Sequence, residues 1–201
     1  MLNPLQQKLL GMLTWLIKYI DDNNIRYYII GGTMLGAVRH EGFIPWDDDI
    51  DVAVPRNDYE RLIDLLKSPV DHYVIESPKG EAEDYVYSYA KLYDLNTSMT
   101  ELARKNVKRG VYIDIFPLDG IGNSLEEGYA NYKKIDRANM LLAMRTCAYR
   151  EGRKWWKNIA VFIGGMLPIN SKKLARKLDR LCSDHNFDDY QFVGFLASVY
   201  R

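Results

Sequence analysis

The sequence predicts an α/β (α+β) fold, a mixed sheet with flanking helices followed by a helical C-terminal part. Three observations predict it. Short β-branched and aromatic runs alternate with amphipathic helical stretches up to about residue 120. After that point the apolar spacing is mostly helical. The chain has 201 residues, 47% of them hydrophobic and 27% charged, which is enough to bury a substantial core and is unlike a disordered chain.

The first helix is expected over Leu5 to Asp22, where Leu5, Leu9, Met12, Leu13, Leu16, Ile17 and Ile20 share a face. Ile25 to Ile30 reads as a strand. Gly31-Gly32 breaks it, and Thr33 is placed to cap a short helix to about His40. A turn around Gly42 to Pro45 precedes a strand over Asp49 to Val54, stopped by Pro55. Asn57 is placed to cap a helix to about Lys67. Tyr73 to Glu76, Val86 to Tyr93 and Val111 to Phe116 read as strands, the last ending at Pro117. Ser124, with Glu127 three residues on, opens a long helix to Arg150. Trp155 to Leu167 and Ser171 to about His185 are two further helices, the first very apolar and the second rich in Lys and Arg. The expected division is an α/β core over 1–120, where the chemistry considered below falls, and a mostly helical region over 121–201.

Charge and leader signals narrow the function classes. Lys plus Arg and Asp plus Glu number 27 each, so there is no cationic excess to neutralise nucleic-acid phosphates. Cys147 and Cys182 have no metal-ligand spacing and read as reduced thiols. No leader pattern opens the chain, and the longest apolar run, Ile159 to Leu167, falls short of a span. A cytoplasmic protein, working in one version at the inner face of the membrane, is the expectation. Trp155-Trp156 among Lys154, Lys157, Lys172, Lys173, Arg176 and Lys177 has two readings: an interfacial membrane contact, or a core-facing helix with a solvated basic side. The second is favoured. His40, His72 and His185 share no ligand spacing and read as surface or structural.

The chemistry concentrates between Gly31 and Pro55. Gly31-Gly32-Thr33, between a strand and a helix, lets a ligand approach backbone amides closely, although most Gly-Gly turns are only turns. Asp49 and Asp51, two apart on a strand, present their carboxylates on one side while Ile50 and Val52 face the core. Like charges held this close call for a cation, and hard oxygen donors suit Mg²⁺ or Mn²⁺. Asp47 and Asp48 fit a solvated acidic turn or a calcium loop, which Asp49 and Asp51 fit less well because apolar residues interleave with them. Asp114, alone in the apolar run Val111 to Phe116, needs a partner, which a metal site on a neighbouring strand would supply; the alternative is an Asp satisfied by Arg or by backbone amides.

A strand ending in Gly-Gly-Thr, an Asp-Ile-Asp and an acid on a later strand together resemble the nucleotidyltransferase superfamily. The fuller string closely resembles the LicD family of phosphorylcholine transferases, with fukutin and fukutin-related protein as distant relatives. Gly31 to His40, Gly42 to Asp51 and Tyr112 to Gly120 carry the resemblance; Lys91-Leu92-Tyr93-Asp94 and Asn96-Thr97 fit the family's middle strand and turn. The likeness is good from about residue 10 to 120. The family usually continues into a segment with a Tyr-Gly motif and a late His, whereas this sequence ends at Tyr200-Arg201, which reads as either a truncation or a short form.

The resemblance implies a nucleotidyltransferase-like mixed sheet and Mg²⁺- or Mn²⁺-dependent transfer of a phospho-alcohol, phosphocholine in type. The donor would be a CDP-alcohol of the CDP-choline type. The acceptor would be a glycan, free or lipid-linked, such as a teichoic acid or a lipopolysaccharide sugar. Asp49 and Asp51 would hold the metal, and Asp114 would join them or act as base toward the acceptor. Gly31, Gly32 and Thr33 would cradle phosphates. Arg39 and Lys91 would meet phosphate charge or form surface salt bridges. Trp46 would pack the loop or stack on the base, with loop packing favoured. The competing readings are a nucleotidyltransferase adding NMP to a small molecule or protein, a glycosyltransferase with an Asp-x-Asp metal site, and a non-catalytic assembly subunit.

Overall fold

The computed structural model describes residues 2–101, 106–149 and 151–197. It is a mixed α/β structure, as expected. The chain forms two compact units. One comprises Met1–Ser77, Tyr89–Met99 and Arg109–Leu118; the other comprises Pro78–Ser88, Thr100–Lys108 and Asp119–Arg201.

In the first unit, α1 (Pro4–Asp22) starts from an Asn3 cap whose side chain accepts from the Gln6 N–H, with the Gln6 side chain accepting in return from the Asn3 N–H. The strands β1 (Tyr28–Ile29), β2 (Asp51–Pro55), β3 (Tyr73–Glu76), β4 (Ala90–Asp94) and β7 (Tyr112–Gly122) form a sheet in the order β1-β2-β7-β4-β3. The pair β2 and β7 is parallel and the other neighbours are antiparallel. The helices α2 (Gly31–His40) and α3 (Arg56–Leu66) bracket β2 in sequence. Met99–Glu101 (β5) and Val107–Arg109 (β6) pair as a separate two-stranded ladder.

Strand alternation divides the sheet into two chemistries. Ile50, Val52, Val54, Ile75, Ala90, Leu92, Ile113 and Ile115 join the core with Leu9, Met12, Leu16 and Ile20 of α1 and Tyr59, Leu62 and Leu66 of α3. The intervening residues form the opposite face. There one register row carries only charged residues: Asp51 beside Asp114, Asp114 beside Lys91, and Lys91 beside Glu76.

Several element ends differ from expectation for physical reasons. Only Tyr28–Ile29 of the run Ile25 to Ile30 pairs, because the Ile25 N–H closes the end of α1 on the Ile20 carbonyl. The helix after Gly31-Gly32 has no side-chain cap; Thr33 lies inside it and its hydroxyl accepts from the Asp51 N–H at 2.8 Å. Asn57 likewise lies inside its helix, which starts directly after Pro55. Pro117 does not end its strand. The Asp114 N–H donates to Ile50, so by alternation the N–H positions of 113, 115 and 117 point toward β4, whose pairing stops at Ile115. A proline there removes no ladder bond.

In the second unit, α4 (Leu125–Thr146), α5 (Trp155–Met166) and α6 (Ser171–Ser183) accompany β8 (Phe192–Gly194), which pairs with the last residues of β7. Ser124 caps α4 as expected, accepting from the Glu127 N–H. Arg150, the expected end of that helix, lies outside the described residues. The core here holds Ile135, Leu142, Ala175, Leu178, Cys182 and Leu196. Both cysteines are free thiols. Gly164 lets α5 approach α4, since a Cβ there would lie 2.6 Å from the Met144 carbonyl oxygen. The expectation that α5 turns its apolar face into a core is corrected: of its twelve residues only Gly164 is buried. Among the described residues no helix is long and apolar enough to cross a membrane.

Truncating the α1 face should be costly, since Leu16 is fully buried in the first core. Leu16→Ala is expected to cost about 2–5 kcal/mol in urea unfolding. A loss of a few tenths would show that α1 is not packed as described.

Candidate active site

The charged row is built around Asp51 and Asp114, register partners on adjacent parallel strands. Asp114 is held by Lys91, whose Nζ lies 3.0 Å from its Oδ1. The same ammonium sits 3.3 Å from the Tyr112 ring centroid, and Lys91 is only 2% exposed. Lys91 is therefore a buried partner of a site acid, not one half of a surface salt bridge.

Asp51 is half-buried on the same face. Burial, followed by the negative charges of Asp49, Asp114 and Asp47, pushes its carboxyl up to about 7; Lys91 opposes this. Asp49 lies just before the strand and not within it. Its carboxyl is also raised, first by burial and then by Asp47 and Asp48. The carboxylates of Asp47, Asp48 and Asp49 bring oxygens within 4.8 Å of one another. Asp47, assigned from sequence to a solvated turn, is thus part of the acidic cluster, and its backbone role below explains how it is held there.

The start of α2 closes one side of this cluster. Gly31 has φ +57°, and a Cβ on it would lie 2.6 Å from Asp51 Oδ2. A Cβ on Gly32 would lie 2.7 Å from Asp47 Oδ2. The two glycines are needed because carboxylates occupy the space a side chain would fill. Thr33 keeps its O–H as a donor, since its oxygen accepts from the Asp51 N–H. The Ile30 N–H donates to the Asp51 carbonyl, so strand and helix start are tied at one residue.

Sequence reasoning missed the residue that holds the acidic loop. Gln6 on α1 is buried, and its Nε2 donates to the carbonyls of Asp47 at 3.0 Å, Ile44 at 3.3 Å and Pro45 at 3.5 Å. A glutamine on a helix face carries no signal of such a role until the loop is placed against it. Tyr112, under Lys91, was also missed, although alternation with Asp114 put it on the same face.

Two expected residues lie apart from the cluster. Arg39 is exposed in the last turn of α2, eight residues beyond Gly31, or about 12 Å along the axis. Trp46 is 81% exposed, so it does not pack the loop.

The carboxylate row and the glycine helix start both lie within a stretch of sequence that matches one family of known proteins. The chain belongs to the LicD/FKTN/FKRP nucleotidyltransferase-domain family, whose model matches residues 24–142. The chain is 36% identical over 132 residues to the lipopolysaccharide cholinephosphotransferase LicD of Haemophilus influenzae, covering 65% of this chain and 49% of that protein. An uncharacterised protein of Rickettsia prowazekii is 40% identical over 76 residues, or 38% of this chain and 24% of its own length. The human ribitol 5-phosphate transferase FKRP is 38% identical over 40 residues, or 20% of this chain and 8% of its own length. No solved structure matches the chain. The chain spans about half the length of the Haemophilus relative and a smaller part of the others.

Two outcomes follow from the site's geometry. Unfolded, Asp51 releases its proton near the ordinary value of 3.8; folded, it holds it until about 7. Between those values the folded state binds the extra proton, so this group's contribution to stability falls as pH rises and is fully unfavourable above both. In chelator-containing buffer Asp51→Asn is therefore expected to be stabilised relative to the wild type at about pH 8, with the gain vanishing toward about pH 4. A gain equal at both pH values would overturn that account. Gln6→Ala, which removes the donor to three loop carbonyls, is expected to cost about 1–3 kcal/mol in urea unfolding, and an unchanged midpoint would show that the loop is held by other means.

Proposed function

We propose that this chain carries the core of a metal-dependent phospho-alcohol transferase. It moves a choline-phosphate-type group from a CDP-linked donor to a glycan hydroxyl, on a lipopolysaccharide sugar or a teichoic acid. The observation that supports this best is the convergence of Asp51 and Asp114 on one face of the sheet, with Asp49 and Asp47 beside them, against a helix start without side chains. The name of the Haemophilus relative supports the choice of donor group and acceptor class.

The donor set fits a divalent cation. Its oxygens are all carboxylate, the set preferred by Mg²⁺ and Mn²⁺. Burial, followed by the charges of Asp49, Asp114 and Asp47, pushes Asp51 toward the protonated form, and a bound cation would oppose that push. Asp49, Asp51 and Asp114 would hold the ion, with Asp47 next to them. The ion's contribution is to offset donor phosphate charge and to favour the attacking oxygen's anionic form.

The chain's own groups do the remainder. Gly31 and Gly32 let the acidic cluster come up against the first turn of α2, whose amides would meet the donor phosphates beside the cation, and Thr33 adds a hydroxyl donor. Lys91 holds Asp114 in place and balances one negative charge of the row. In the transfer, the acceptor oxygen bonds to the phosphorus that bears the alcohol. The bond from that phosphorus to the bridging oxygen breaks, and CMP leaves with the electron pair. The acceptor's proton passes to a site carboxylate, with Asp114 taking it where it does not ligate the metal. Trp46, exposed on the loop that leads into the acidic cluster, is free to stack on a base.

Choline-labelled CDP-choline, with Mg²⁺ and a lipopolysaccharide or teichoic-acid acceptor, is expected to give labelled glycan and free CMP. Asp49→Ala and Asp51→Ala should each lower that rate roughly a hundredfold or more. Pyrophosphate and a nucleotide-labelled acceptor from a nucleoside triphosphate would instead identify a nucleotide-adding enzyme.

A further inference from the structure

The face of α5 (Trp155–Met166) has no use in the transferase reading. Trp155, Ile159, Phe162 and Met166 follow one another at helical spacing, with Trp156 and Ile163 alongside, and all six are exposed. Trp155, Phe162 and Met166 are 74%, 68% and 72% exposed. A stripe of this size left in water is unusual on a helix whose other side is already seated on α4 through Gly164.

The charge around the stripe identifies what covers it. The whole protein is neutral. The segment from Lys154 to Leu181 is not: it contains Lys154, Lys157, Lys172, Lys173, Arg176, Lys177 and Arg180, and its single acid is Asp179. Asp179 is buried and lies 3.7 Å from Lys79, so it does not offset the surface cations. Lys154 and Lys157 are exposed at the start of α5, where the two tryptophans lie. On α6, Lys173, Arg176, Lys177 and Arg180 are all exposed and fall on one helix face. An apolar helix face with a tryptophan pair at one end and cations beside it has the composition of a helix that lies in a lipid headgroup layer. The helix has twelve residues, which is about 18 Å, too short for the hydrocarbon core of a bilayer.

We propose that α5 is a membrane-surface helix. It lies flat in an anionic leaflet with Trp155, Trp156, Ile159, Phe162, Ile163 and Met166 inserted at the headgroup–acyl boundary. Lys154 and Lys157, exposed at the tryptophan end of the helix, supply attraction to acidic headgroups. This inference stands apart from the reading of the carboxylate site and survives if that reading fails.

The full chain should co-float with vesicles containing roughly 30% phosphatidylglycerol in phosphatidylcholine, and should bind pure phosphatidylcholine vesicles at least about tenfold more weakly. Raising salt to about 0.5 M should weaken the binding to the acidic vesicles. The triple variant Trp155→Ser, Phe162→Ser, Met166→Ser should lose binding by about tenfold or more while its circular dichroism and melting temperature stay unchanged, because the replaced groups are exposed. Lys154→Gln and Lys157→Gln should each weaken acidic-vesicle binding about fivefold. Absence of binding to the acidic vesicles, or equal binding by the triple variant, would overturn the proposal. So would light scattering that shows a dimer abolished by the triple variant, since the stripe would then be an interface between copies.

Discussion

Asp51 and Asp114 occupy the same register position on neighbouring parallel strands, and much of the first unit is arranged around that pairing of like charges. The pairing is unfavourable by itself, and it adds to burial and Asp49 in pushing the Asp51 carboxyl up. Three features make it tolerable. Lys91 sits directly opposite Asp114 on the next strand and takes one negative charge. The backbone amide of Asp51 is secured by Thr33, which ties this end of β2 to the start of α2. The remaining negative charge is left toward the start of α2, where backbone amides point and side chains are absent.

The same alternation that creates the site also insulates it. Ile50, Val52, Ile113 and Ile115 interleave with the acids and turn to the other face, where α1 and α3 cover them. A one-residue slip of β2 against β7 would exchange core for carboxylate along both strands. The hydrophobic core is therefore what holds the acids in register. α1 also acts directly on the site: Gln6 reaches from the core helix to the carbonyls of the loop that carries Asp47. Packing and site geometry are coupled through one amide.

The second unit has a different economy. Its core is small, drawn from α4, α6 and the segment around Leu196; α5 adds no buried apolar side chain to it and is held on α4 by the Gly164 approach and by Arg145, which donates to the Gly165 carbonyl. A helix this apolar, left on the outside with two lysines exposed at its start, is consistent with a unit whose partner is a surface. The charge neutrality of the whole chain conceals that asymmetry, since the acids are concentrated elsewhere.

The sequence by itself determined the mixed α/β class, most helices to within a few residues, and the family, because local periodicity and an uncommon string of Gly, Asp and aromatic positions are local properties. It also placed Asp49, Asp51 and Asp114 as the acids to watch, since charges in apolar runs stand out without any structure. Only the tertiary structure decided which residues complete that set. Lys91 became a buried counter-charge through strand order, Asp47 joined the cluster because Gln6 holds its loop, and Pro117 stayed in a strand because its neighbour had ended. Arg39 and Trp46 look equally plausible on paper, yet a helix length separates Arg39 from the glycines and solvent surrounds Trp46. The orientation of α5 was beyond sequence reading for the same reason. Periodicity shows that a helix has an apolar face, but which neighbour covers that face is set by contacts between residues far apart in the chain.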